Sequence, residues 1–151
     1  MTELKAHSGR FFEVIVRMDE TQEDGALKKV KKTFVVNALS FSEAESKVTN
    51  EMFPYNGGDF EVANINPAQY GEVFISDNEE DDGFYKCKLS LVTFDEKSGK
   101  EKKSKVVYLV QASSTNKAQS YIDHCIMNGS MTDFVTSSIS ESNITDVFLH
   151  E

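Results

Sequence analysis

Three sets of side chains are spaced as if for chemistry. The first is the acidic run Asp77-Asn78-Glu79-Glu80-Asp81-Asp82-Gly83. Asp77, Glu79 and Asp81 have the alternating oxygen spacing of a calcium loop. Such a loop also needs Gly at its sixth position and a bidentate Glu at its twelfth. Here those positions hold Asp82 and Lys88. The run therefore reads as a hydrated connector, because unpaired carboxylate runs stay solvated. The second set is His7, His124, His150, Cys87 and Cys125. No spacing among them is that of a zinc site. Cys125 follows His124 directly, but neighbouring helix residues point about 100° apart, so they form no nucleophile–base pair. Both cysteines fall in apolar phase, one on a strand and one on a helix, and are expected as buried free thiols rather than a disulfide. The third set is the hydroxyl run Thr136-Ser137-Ser138-Ile139-Ser140, which lacks the Gly-x-Ser-x-Gly elbow and reads as a strand. The Gly57-Gly58 pair has no following Lys and precedes a strand, so it reads as a turn and not a phosphate loop. The expectation is no catalytic residue, no metal site and no cofactor. An enzyme would need a dispersed site, with Cys125 or His124 as its first suspects.

The lysines are more suggestive. Lys28, Lys29, Lys31 and Lys32 follow one turn, and Lys97, Lys100, Lys102, Lys103 and Lys105 surround another. These two segments hold nine of the sixteen basic residues. Two basic hairpin arms, projecting by roughly 15 Å beyond a covering helix, could grip a nucleic-acid backbone. The plainer reading is that lysines keep hairpins soluble and block edge pairing. Asp19, Glu20, Glu23 and Asp24 offset the first group, and Asp95, Glu96 and Glu101 part of the second. Phe11, Phe84 and Phe94 fall on the polar face of their strands, placed either to stack on bases or to line an interface.

The net charge of −9 and the pI of about 4.8 oppose long-range attraction to nucleic acid or anionic membrane, leaving only local patches for either. No apolar run approaches the ~18 residues of a membrane span, and no signal peptide opens the chain, so a cytoplasmic protein is expected.

The elements that must position these groups come in two copies. From Val35 to Ile75, residues match those 74 positions later: Ala44 with Ala118, Phe60 with Phe134, Val73-Phe74 with Val147-Phe148. The strands before them match 73 apart, Phe12, Val14, Val16 and Met18 with Tyr85, Cys87, Leu89 and Leu91. Alternation of period two predicts half-buried antiparallel strands, joined by turns at Asp24-Gly25 and Ser98-Gly99. A helix follows in each copy. Ser42 with Glu45, and Asn116 with Gln119, have capping-box spacing. Ala44, Val48 and Met52 form one buried stripe; Ala118, Tyr121, Ile122, Cys125 and Ile126 form the other. Pro54 with Gly57-Gly58, and Asn128-Gly129, are expected to end the helices. Two strands close each unit. The fold class expected is α+β: a tandem duplication of a β-β-α-β-β unit, with antiparallel sheets, one helix per repeat and approximate two-fold symmetry. Residues 10–76 are the first repeat, 77–83 the acidic linker and 84–150 the second; residues 1–9 read as a frayed start.

The residues Phe84-Tyr85-Lys86-Cys87-Lys88-Leu89, Asp95 to Lys103, Leu109-Val110-Gln111-Ala112 and, in the first copy, Ala38 to Glu45 resemble a family of small proteins from Bacteroidetes and their crAss-like phages. The acidic linker and the ending Asp146-Val147-Phe148 fit it too. The resemblance implies a bacterial or phage-infected cytoplasm and brings no activity and no site residues.

The function expected is therefore a non-catalytic cytoplasmic binding module, not an enzyme, with a protein partner or a second copy bound and no membrane. The alternative is weak single-stranded DNA or RNA binding through Lys28, Lys29, Lys31, Lys32, Lys100, Lys102, Lys103 and Lys105.

Overall fold

The structure, a computed structural model, describes residues 3–56, 59–130 and 132–149, and among these are nine strands, two α-helices and one π-helical turn. It divides into two compact units that cut across the order of the chain. One takes residues 9–69 and 143–151, the other residues 1–8 and 70–142.

In the first of these, β2 (Phe11–Thr21) and β3 (Leu27–Asn37) form a hairpin, α1 (Phe41–Asn56) follows, and β4 (Phe60–Ala68) returns beside β2. The sheet is completed by β9 (Ile144–Phe148), which lies parallel to β3, giving the order β4-β2-β3-β9. Phe12, Val14 and Val16 on β2, and Phe34 and Val36 on β3, share one face, as period two requires. Against them α1 packs Ala44, Val48 and Met52, the stripe its 3.6-residue period implies. Phe148 closes the far side by stacking on Phe34, with ring centroids 4.9 Å apart.

In the second unit, β6 (Gly83–Phe94) and β7 (Glu101–Ala112) form the hairpin, and β8 (Asp133–Glu141) pairs with β6. Here β5 (Glu72–Ser76) lies parallel to β7, and β1 (Leu4–His7) lies antiparallel to β5, giving the order β1-β5-β7-β6-β8. Tyr85, Cys87, Leu89, Val110 and Ala112 face Ala118, Tyr121 and Ile122 from the helical segment.

The architecture is α+β with mixed rather than purely antiparallel sheets. Both parallel pairs arise because β5 and β9 do not return beside the hairpins that precede them in sequence. Instead β5 joins the later hairpin and β9 the earlier one. The registers match closely. Phe34 and Val36 lie opposite Asp146 and Phe148, as Tyr108 and Val110 lie opposite Glu72 and Phe74. The β2–β4 pairing shifts register between Ile15 and Val16, and the β6–β8 pairing between Lys88 and Leu89.

Several local expectations need correction. The start of the chain is not frayed throughout, since β1 caps the open edge of β5. Ser40, not Ser42, caps α1: its hydroxyl accepts from the Glu43 N–H while the Glu43 carboxylate accepts from the Leu39 N–H. Ser40 and Ser42 each precede a Glu by three positions, so spacing alone could not choose between them. Ser114, likewise two residues before the expected Asn116, caps α2 (Thr115–Tyr121). The first helix runs past Pro54 to Asn56; Gly57-Gly58 lies outside the described residues. After Tyr121 the backbone widens into a π-helical turn, Ile122–Ile126, in which Met127 N–H donates to the Ile122 carbonyl. Bonding from i to i+5 changes which residues align. Ile126 and Met127 therefore pack on the core, while Cys125, expected to be buried, is exposed.

Candidate binding surface

The ends of the two hairpins are open to solvent. Residues 19–29 and 93–105 are exposed throughout. Gly25 and Gly99 take φ of +84° and +68° at their tips, where a Cβ would be strained. The first arm carries Lys28, Lys29 and Lys31, with Lys32 half-buried; the second carries Lys100, Lys102, Lys103 and Lys105, all exposed. The fold brings each group together within its own unit.

Register separates the two arms chemically. In the first, Lys28 lies opposite Glu20, Lys29 opposite Asp19, and Lys31 opposite Arg17, which itself lies opposite Glu61. Oppositely charged cross-strand neighbours attract, so this arm largely neutralises itself. In the second, Lys102 lies opposite Thr93, Lys103 opposite Val92 and Lys105 opposite Ser90. None of these three has a carboxylate directly across from it.

The sheet face turned away from α2 continues this pattern. Period two puts Lys86 and Lys88 of β6 on that face with Lys103 and Lys105 of β7. Beyond them at the sheet edge stand Ser140, opposite Lys86, and Ser138, opposite Lys88. Ser90 and Ser137 meet hydroxyl to hydroxyl at 3.3 Å. Lys86 lies 6.0 Å from the centre of the Tyr70 ring. In a chain of net charge −9 this is a local basic surface. Of the three aromatics read from the sequence as polar-face residues, Phe11 and Phe84 are buried and offer no ring to a base; Phe94 is 68 % exposed.

Sheet edges are the other feature. Among the described residues the edge strands are β1, β8, β4 and β9. Two are short, with four and five residues. The edge of β4 carries Glu61 and Pro67, residues that discourage pairing. Strand β8 has nine residues, and the seven from Phe134 to Ser140 include no charge and no proline. Val135 on it is 60 % exposed.

The residues that suggested chemistry are dispersed. Among the described residues no group of three His, Cys, Asp or Glu could hold a metal. Cys87 is fully buried, its thiol pushed up to about 12 by burial. His124 is exposed, and His150 lies outside the described residues. A groove of about 510 Å³ between Met18, Val30 and Phe60 is rimmed by charges of both signs, Lys29 and Lys31 with Asp19 and Glu61. No helix among the described residues is long and apolar enough to cross a membrane.

One residue of the acidic run departs from the hydrated reading. Asp81 is buried, and its Oδ2 accepts from the Ser76 hydroxyl at 2.5 Å and from the Tyr121 hydroxyl. Nothing local signals this, because the Tyr121 donor is 40 residues away. The edge of β8 was also missed. Its uncharged sequence was legible, but its place at the end of a sheet was not.

A search of curated proteins and of solved structures finds no match. A family model does match, over residues 10–150, and the chain belongs to the family it describes, a domain of unknown function, DUF4494.

Proposed function

We propose that this protein is a non-catalytic binding module of the cytoplasm of a bacterium or its phage, and that it docks another protein. The observation that carries this reading is the unguarded edge of β8. Edge strands of monomeric proteins are normally short, charged, interrupted by proline or covered. An edge of seven uncharged residues with exposed Val135 is instead a surface on which a further strand can pair. We further propose that the scaffold arose by tandem duplication of a β-β-α-β-β unit. The matched registers of β3–β9 with β5–β7, and the paired register shifts in β2–β4 and β6–β8, support that reading.

The test is affinity capture from the organism that encodes the protein, read by quantitative mass spectrometry. A stoichiometric protein partner is expected. Recovery of nothing but the protein itself would count against docking to a different protein.

A second reading, weak binding of single-stranded DNA or RNA, is favoured by the second arm, where Lys102, Lys103 and Lys105 have Thr93, Val92 and Ser90, not carboxylates, directly across from them. Replacing Lys100, Lys102, Lys103 and Lys105 by Gln should then lower both affinity and its salt dependence. Absence of binding by the unaltered protein at low salt ends that reading.

A further inference from the structure

We infer that the edge of β8 takes an extended partner segment that alternates acidic and apolar residues, its acidic side chains reaching Lys88 across Ser138. The inference rests on the docking reading above and names the chemistry of the occupant.

The backbone of β8 sets the class of partner. An unpaired edge offers N–H donors and C=O acceptors along its length, and another β-strand satisfies both. A phosphate backbone supplies acceptors for the N–H groups and nothing to donate to the carbonyls.

The side chains set its charge. A strand added to β8 would lie about 4.8 Å beyond it, and so about 9.6 Å from β6. On the face away from α2, the residue between the newcomer and Lys88 is Ser138, and the one between it and Lys86 is Ser140. Both serines are small and exposed. They leave the Lys88 stem free to lie across Ser138 and present its ammonium to a carboxylate on the added strand. Lys103 and Lys105 of β7 add to the positive field of the same face. On the other face β8 turns Phe134, Thr136 and Ile139 toward the helical segment, each half-buried. Apolar residues at alternate positions of the partner would extend that burial.

A second copy of this chain fits poorly. Antiparallel pairing of β8 with itself about Ser137 sets Asp133 opposite Glu141 at both ends, and like charges directly opposed repel. It also places Thr136, not a carboxylate, opposite Ser138.

Fluorescent nine-residue peptides alternating Glu with Val or Thr, and their Lys-for-Glu counterparts, are the probes. The Glu peptide should bind at least about tenfold more tightly than the Lys peptide at low salt. Its binding should slow amide exchange between Phe134 and Ser140. Lys88→Glu should reverse the charge preference without disturbing the fold, since Lys88 is exposed. Of two Glu peptides N-methylated at alternate residues, the one blocked on its pairing edge should lose binding. Equal affinity for the two charges, protection outside β8, indifference to N-methylation or no binding at millimolar peptide would each overturn the inference. So would dimerisation of the free protein through β8, or tight binding of oligothymidylate that displaces the Glu peptide and is itself unaffected when the β8 edge is filled by an uncharged strand-forming peptide. A captured partner whose binding ignores Lys88→Glu would leave the docking reading standing and remove this site.

Discussion

Cys87 and Cys125 show how far environment separates two identical side chains. Cys87 sits in the core with no exposure, and burial raises its thiol to about 12; Cys125 is exposed on the π-helical turn. A thiol reagent at pH 8 should therefore label Cys125 readily and Cys87 only on unfolding, as mass spectrometry after timed quenching would read. The raised value also couples to stability. Above the ordinary cysteine pKa of about 8.5 the unfolded chain releases this proton while the folded protein keeps it. Stability should thus fall as pH rises from there toward about 12, and fall less in Cys87→Ala. Urea titrations at pH 7.5 and 10 would show the difference; equal losses in both proteins would contradict it. Asp81 is the other residue whose setting decides its role. As acceptor for Ser76 and Tyr121 it ties the segment before β6 to the helix. Asp81→Ala should cost about 1–3 kcal/mol, and Tyr121→Phe about 1 kcal/mol, in urea unfolding.

Among the elements, helix starts and one tight connection control local stability. Ser40 and Ser114 each satisfy an N–H that the first helical turn leaves unpaired. Alanine at either should cost about 1 kcal/mol, while Ser42→Ala and Asn116→Ala should cost much less. Thermal unfolding of the four variants would check the order. Glu43 adds to the first cap. Its carboxyl is held below the ordinary range by the Leu39 N–H first and by Lys47 second. That contribution is present above the unfolded pKa and is lost as pH falls through the lowered folded value. Between β4 and β5 the chain passes so close to β7 that a Cβ on Gly71 would meet the Val106 Cγ2 at 2.5 Å. Gly71→Ala should destabilise by about 1–3 kcal/mol through overpacking. Val106→Ala in the same chain should recover most of that loss. Absence of such coupling in a double-mutant cycle would show that the connection gives way instead.

At the scale of the whole molecule, the placement of β5 and β9 makes each hairpin depend on residues from the other part of the chain. Strand β3 needs β9, and β7 needs β5. Residues 10–76 made alone should therefore fail to fold to a monomer with dispersed amide resonances, because β3 loses Phe148 from its stack and β5 loses its partner strand. Mixing with residues 84–150 should restore structure. A well-folded 10–76 monomer would contradict this. A shorter truncation isolates the same contact: removing residues 143–151 should open the core around Phe34 while sparing the one around Leu89.

Faces were legible in the sequence, and neighbours were not. Period two placed Phe12, Val14 and Val16 on one side of β2, and the 3.6-residue period placed Ala44, Val48 and Met52 on one side of α1, because side-chain direction is a local property of the backbone. Gly25 and Gly99 marked their turns for the same local reason, positive φ. The π-helical turn, which hid Cys125 from this logic, is a departure from the period itself. Pairing is different in kind. Strands join through backbone groups that every residue carries, so no side-chain pattern distinguished a β5 beside β3 from a β5 beside β7. Only the tertiary structure decided that β5 and β9 cross over, that Lys28 and Lys29 lie opposite carboxylates in register while Lys103 and Lys105 do not, and that the uncharged strand β8 is left at an edge. Each of these is a relation between residues far apart in the chain, set by which backbones lie side by side.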